Sequence, residues 1–320
     1  MKRKINCLIT AIFLLYILPM TASAAQTLIP VGKVVGLELR SDCVTVAAFD
    51  ESSNAQGAGV KVGDWLLSID GQTIHAPEDV ASALRQSKGS VQLLLQRGDE
   101  LKTVRISPTI TPDGPKLGIY LRQGVTGIGT VTYYDPESKT FGILGHGVND
   151  SGGKLLQLTG GNVYEARVSS VRKGRSGEPG QLMGALTSQD PIGDIRRNTV
   201  HGVFGVCQIP ISAQALPVGT SDTVKTGSAT ILSTISGQSV QEYSVEILKI
   251  YPASRQNGRN LLIRITDPQL LEATGGIVQG MSGSPIIQSG HLIGAVTHVL
   301  VNDPTTGYGI FIENMLDAAA

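Results

Sequence analysis

The chain has 320 residues and a mass of 33.6 kDa, long enough for two domains. Lys+Arg and Asp+Glu balance at 26 each, charged residues are 16% of the chain and aromatics 4%. That composition excludes a disordered chain, a highly charged coiled coil and a nucleic-acid platform built on basic charge and stacked rings.

Lys2, Arg3 and Lys4 precede an apolar run from Cys7 to Met20, and Ala22-Ser23-Ala24 follows it. A basic start, an apolar core and a small-residue site make residues 1–24 a secretory signal peptide, or an N-terminal anchor if uncleaved. Without them the chain carries 23 basic groups against 26 acidic ones, a mildly acidic surface. Cys43 and Cys207 fall in different predicted domains with no C-x-x-C pair, which reads as two buried free thiols.

From Leu28 to Ser107 short β-rich runs alternate with turns. Val44–Ala47 is strand-like, Trp65–Ile69 runs as a strand into the hairpin dipeptide Asp70-Gly71, and Val91–Gln96 and Thr103–Ile106 flank Gly98-Asp99. Pro77 to Gln86 reads as a helix, with Pro at its start and Val80, Ala81 and Leu84 on one face. The block Ala55-x-x-Ala58-Gly59-Val60-x-x-Gly63-Asp64-x-Leu66-x-x-Ile69-Asp70-Gly71 resembles a PDZ domain, expected over 28–108. Such domains take a peptide as an added strand beside a helix, with a glycine-rich loop receiving a carboxylate. The resemblance puts that loop at Gly32, Val35, Gly36 and Leu37. Pro112, Gly114 and Pro115 mark a linker over 109–116.

Beyond it, residues 117–320 carry short β-like runs separated by Gly and Pro: Gly129–Tyr134, Thr140–Leu144, Tyr164–Val171, Val200–Cys207, Ala229–Ile235, Gln241–Ile250, Leu261–Ile265, Pro285–Gln288 and Ile293–Val301. That spacing predicts an antiparallel barrel or sandwich. Only Gln269–Thr274 and Asn314–Ala319 look helical.

The sharpest chemical motif is Gly280-Met281-Ser282-Gly283-Ser284-Pro285, followed by a strand, the Ser289-Gly290 turn and a second strand ending in Thr297-His298. A serine on a tight glycine turn lets main chain approach a scissile carbonyl, and the amides of Gly280 and Ser282 can then face the developing oxyanion. This block is similar to the nucleophile region of trypsin-like peptidases, which implies a double β-barrel. It selects Ser282 over Ser284 as nucleophile and makes Thr297-His298 one wall of the cleft. Among His75, His146, His201, His291 and His298, the base is assigned to His146, which ends an apolar strand between Gly145 and Gly147; His201 is the alternative. Neither H-E-x-x-H nor a paired Cys/His spacing occurs, so no metal or cofactor is expected.

With the signal, the PDZ block, Leu144-Gly145-His146-Gly147, Gly276 to Pro285 and Asn302 to Gly309 together, the chain resembles the stage IV sporulation protein B family from about Ile29 to Leu316. The resemblance implies an exported serine endopeptidase in the space between forespore and mother-cell membranes. It would cleave a membrane-associated regulatory protein and so trigger a late mother-cell sigma factor; a second copy of the chain is another implied partner, and nucleic acid is not. The family pattern places the triad acid shortly before the serine block, at Asp267. Trypsin-like spacing instead points to Asp190 or Asp194, both in a turn-like stretch. A different class remains open from the residues alone: a PDZ-bearing binding protein whose barrel is catalytically silent.

Overall fold

The computed structural model describes residues 26–51, 53–150, 152–207, 213–255 and 258–320; the predicted signal peptide lies outside them. In chain order the first strands are β1 (Thr27–Pro30) and β2 (Val34–Phe49). β3 (Trp65–Ile69), β4 (Gln72–Thr73), α1 (Pro77–Gln86), β5 (Val91–Arg97), β6 (Glu100–Ile106), β7 (Thr109–Thr111) and β8 (Gly114–Lys116) follow. Next come β9 (Ile119–Asp135), β10 (Thr140–Ile143), β11 (Gly160–Arg172), β12 (Gln181–Thr199), β13 (Gly202–Cys207) and β14 (Leu216–Pro217). The C-terminal part holds β15 (Gly227–Ser233), β16 (Gln241–Ile250), β17 (Leu261–Ile265), α2 (Pro268–Thr274), β18 (Pro285–Gln288), β19 (His291–Leu300), β20 (Asp303–Phe311) and α3 (Ile312–Ala319).

Two barrels result. β2, β9, β10, β13, β12 and β11 pair antiparallel in a ring that closes through β11 on β2. β15, β16, β17, β20, β19 and β18 close a second. Alternating inward residues fill each: Val35, Leu37, Leu39, Ile143, Val163, Ile195 and Val203 in the first, Ile231, Val245, Ile247, Ile263, Ile286 and Val296 in the second. Leu28, Tyr133, Phe204, Leu292, Ile310, Ile312 and Met315 form a further buried cluster, which joins β1, β9 and β13 to β19, β20 and α3. The expected double antiparallel barrel is therefore present.

The expected domain boundaries are corrected by the ladders. β2 is one strand serving two units: Val34–Leu39 pairs with Thr130–Val125 in the first barrel, and Val44–Phe49 pairs with Gln123–Ile119 in the PDZ domain. The PDZ core, with Val44, Val60, Leu66, Ile69, Leu84, Leu93 and Leu95 buried, is thus inserted between the first two strands of the first barrel. Residues 27–39 belong to that barrel, not to the PDZ domain. The expected linker over 109–116 is the β7–β8 hairpin, with Thr109 opposite Lys116. Cys207 is buried, its Sγ 3.1 Å from Ile192 O, and Cys43 is half-buried; the two are not joined to each other.

Candidate active site between the barrels

β10 ends by an abrupt turn. Leu144 (φ 72°) and Gly145 (φ 68°) are both left-handed, and Gly145 N donates to Ile143 O (2.9 Å). A left-handed leucine costs roughly 1–2 kcal/mol, so the bend is held by its surroundings. Leu144 N donates to Thr130 O (3.3 Å), and a Cβ on Gly145 would lie 2.9 Å from Thr297 Cγ2 of the second barrel. This turn delivers His146 into the cleft.

Ser282 comes from the other side. Met281 N donates to Val278 O, Ser284 N to Met281 O and Gly283 N to Val296 O, at 3.1, 2.9 and 2.8 Å, and Met281 is fully buried as the anchor. Gly283 has φ 98°, and a Cβ there would lie 2.1 Å from Thr130 O, so only glycine fits. Thr130, fully buried on β9, ties the turn to the first barrel: its N donates to Ser282 O (3.1 Å) and its Oγ1 to Gly280 O (2.8 Å). No sequence signal singled out Thr130.

His146 and Ser282 line one cleft of about 480 Å³, together with Gly280, Gln279, Thr297, His298 and aliphatic walls from both barrels. His146 Nδ1 lies 2.9 Å from Gly147 O. A carbonyl only accepts, so this bond puts the ring proton on Nδ1 and leaves Nε2 as the basic nitrogen. Burial pushes the His146 imidazole below its ordinary pKa of 6.5, and the Gly147 carbonyl partly offsets that. The Ser282 hydroxyl rests on main chain, donating to Thr297 O (2.9 Å). Ser284 is fully buried, with its hydroxyl 3.1 Å from Ser233 Oγ.

The amides of Gly280 and Ser282 donate to no group among the described residues. Each preceding carbonyl is occupied elsewhere: Gln279 O accepts from Leu182 N (2.8 Å) and Met281 O from Ser284 N. In a trans peptide the N–H points opposite its carbonyl, so both donors are turned away from those partners and left for an oxyanion.

Asp267 is not brought to His146. Its Oδ1 accepts from Gln269 N and Leu270 N, both at 3.0 Å, as the N-cap of α2, and its Oδ2 lies 3.4 Å from Ser244 N. The Asp-Pro pair that resembled a triad acid is a helix start, with proline at the first helical position. Asp190 and Asp194 are exposed on β12, and no Asp or Glu lines the cleft. His201 lies in the turn between β12 and β13; His75 and His291 are exposed.

The expected PDZ loop is also misplaced. Val35 and Leu37 are buried in the first barrel, Gly36 makes room for Leu186, and Gly32 packs on Leu232. Leu37 instead lines the cleft shared by His146 and Ser282. The groove beside the PDZ helix is formed by Pro77, Val80, Ala81 and Leu84 of α1 and by Lys116–Leu121. Its loop is Lys116-Leu117-Gly118-Ile119, left-handed at Gly118 (φ 65°) and leading straight into β9. The signal is present as Leu117-Gly118-Ile119 before a β-run, but these residues lie beyond the expected PDZ bounds, at the start of the expected peptidase domain.

The SpoIVB peptidase S55 family model matches residues 114–316, and a PDZ domain model matches 45–97. The chain belongs to the SpoIVB peptidase S55 family. It is a serine peptidase carrying a PDZ domain. The Clostridium perfringens protein CPE1693, named for a zinc metalloprotease, is 36% identical over 70 residues, which are 22% of this chain and 21% of that protein. The chain thus spans about a fifth of that relative's length. Among the described residues, no cluster of three or more His, Cys, Asp or Glu could hold a metal ion. Among solved structures, the PDZ domain of the SdrC-like protein from Listeria monocytogenes is 24% identical, with a TM-score of 0.23. That match covers 26% of this chain and 92% of the other. The inactive form of the Rv3671c protease is 15% identical, with a TM-score of 0.36, covering 61% of this chain and 82% of the other.

Proposed function

We propose that the peptidase cleaves peptide bonds with Ser282 as nucleophile and His146 as general base. The observation carrying this is the meeting of Ser282, His146 and two unengaged amides in one interbarrel cleft. The Ser282 hydroxyl leaves Thr297 O by rotation about χ1 and gives its proton to His146 Nε2 as Oγ attacks the scissile carbonyl. The oxyanion is received by the Gly280 and Ser282 amides, and His146 returns the proton to the leaving amine. Gly147 O holds the tautomer that an aspartate holds in other triads, so Asp267 has no part in this reading.

Family membership supports an exported endopeptidase of sporulation signalling, acting between the forespore and mother-cell membranes. There it cleaves a membrane-associated regulatory protein, or a second copy of itself, to trigger a late mother-cell sigma factor. The PDZ groove of α1 and Lys116–Leu121 selects the protein presented to the cleft. Self-cleavage of the purified chain, followed by intact mass over time, tests the chemistry. Fragments are expected from the parent and from Ser284→Ala, and none from Ser282→Ala. Cleavage of Ser282→Ala at the parent's rate would exclude Ser282 as nucleophile.

A further inference from the structure

One polar side chain in the cleft has no part in the chemistry above. His298 on β19 follows Thr297, whose carbonyl receives the Ser282 hydroxyl, so its main chain runs beside the nucleophile. Thr297 points into the protein, with Oγ1 3.2 Å from Tyr308 O. The β19–β20 register shifts between Val296 and His298, and His298 lines the cleft. Its ring centroid is 5.3 Å from that of His146, with the planes tilted by 44°.

His298 Nδ1 is buried with no hydrogen-bond partner, which leaves Nε2 as the nitrogen open to the cleft. Burial pushes the His298 pKa down to about 4, with His146 and Arg259 adding to the shift, so the ring is neutral at pH 7. A buried orphan acceptor is better tolerated than a buried orphan N–H. The single proton therefore sits on Nε2 and is offered to the cleft. The surrounding walls are mainly aliphatic, from Leu37, Leu39, Val125, Ile128, Ile277 and Val278, and the lining holds two carboxamides, Asn149 and Gln279, but no carboxylate.

We propose that His298 is a specificity residue, its Nε2–H receiving the side-chain oxygen of the substrate residue whose carbonyl Ser282 attacks. The favoured residue carries a carboxylate or carboxamide, glutamate ahead of glutamine, and the inference rests on the peptidase reading above. Leucine would leave the N–H unsatisfied in a dehydrated site, and lysine would meet a donor and the neighbouring Arg259.

The test is covalent labelling of the full chain with four peptidyl diaryl phosphonates, identical except for a Glu-, Gln-, Leu- or Lys-like side chain at the reactive position. Adducts on Ser282 are followed by intact mass. The Glu and Gln probes should label roughly ten- to a hundredfold faster than the Leu and Lys probes, as expected for one hydrogen bond to a charged or strongly polar group. In His298→Leu the Glu-to-Leu ratio should fall to about one, while His298→Gln, which keeps a donor, should recover part of it. Ratios within one protein cancel any general loss of reactivity, and melting curves identify a variant that fails to fold. A flat preference in the parent, or the parent's ratio surviving in His298→Leu, would overturn the proposal. A small fluorophosphonate without a side chain separates the two levels: failure to label Ser282 at all overturns the peptidase reading and this inference with it.

Discussion

Thr130→Val keeps shape and removes one hydroxyl from a fully buried site. The loss falls on Gly280 O, whose hydrogen-bond donor is Thr130 Oγ1 at 2.8 Å. A buried carbonyl left without a donor costs about 1–3 kcal/mol. For a chain of this size each kcal/mol lowers Tm by about 2 °C or less. The functional effect should be larger than the stability loss implies. Gln279 O on Leu182 N and Gly280 O on Thr130 Oγ1 fix the two peptides flanking Gly280, and so the aim of its N–H. Losing one oxyanion donor outright costs about 10²–10³ in kcat, so a loosened donor should cost about tenfold or more with a smaller change in KM. Thr130→Ser keeps the hydroxyl and should restore most of kcat while losing a methyl contact. Steady-state kinetics on a cleavable peptide, beside thermal melts of all three proteins, decide the matter. Parent-like kcat in Thr130→Val, or a serine variant as impaired as the valine one, would refute the tie between β9 and the nucleophile turn.

Asp267→Ala should lose about 1 kcal/mol as a helix cap is removed, and Asp267→Asn only a few tenths, because an amide oxygen still caps. Both should keep kcat within about tenfold, since the carboxylate does not reach His146; a thousandfold loss in Asp267→Asn at an unchanged Tm would mean that it reaches the imidazole in the working enzyme. The pH profile follows from burial: with His146 held below 6.5, kcat/KM should rise with pH through a midpoint under that value, and a midpoint above 7 would contradict the assignment. For stability the sign is set by His298, whose folded value of about 4 lies below the ordinary 6.5. As pH falls from 6.5 towards 4 the unfolded chain gains a proton that the native ring resists, so Tm should drop over that window, less steeply in His298→Gln.

The second barrel was legible because its strands alternate apolar and polar residues: Gln241–Ile250, Leu261–Ile265 and Pro285–Gln288 coincide with β16, β17 and β18. β12 was not. It runs for 19 residues through Gly184, Pro191 and Gly193, mostly exposed and without alternation, held by its ladders to β11 and β13. Hydrogen bonding of that kind leaves no hydrophobic signature. Ser282 and His146 stand out in the sequence because glycine turns flank both, and they line one cleft. The Asp267 assignment failed because an aspartate before a proline is equally a helix cap. The PDZ loop failed because the strand beside α1 is supplied by β9, after the domain's own body, and only the pairing of Val44–Phe49 with Gln123–Ile119 reveals it.

The insertion of the PDZ domain has a consequence for how the chain reaches this state. The first barrel cannot close until β2 finds β9, and Val44 is separated from its partner Gln123 by about eighty residues, an entropic cost that grows with loop length. The PDZ core lies within that interval, and its own folding brings the two strands together. Once Val44–Phe49 and Ile119–Gln123 are paired, Leu39 and Val125 meet across a short ribbon rather than a long loop. Local contacts form at a lower entropic cost than distant ones, so the PDZ domain is expected to fold first and to act as the clasp on which the first barrel is zipped.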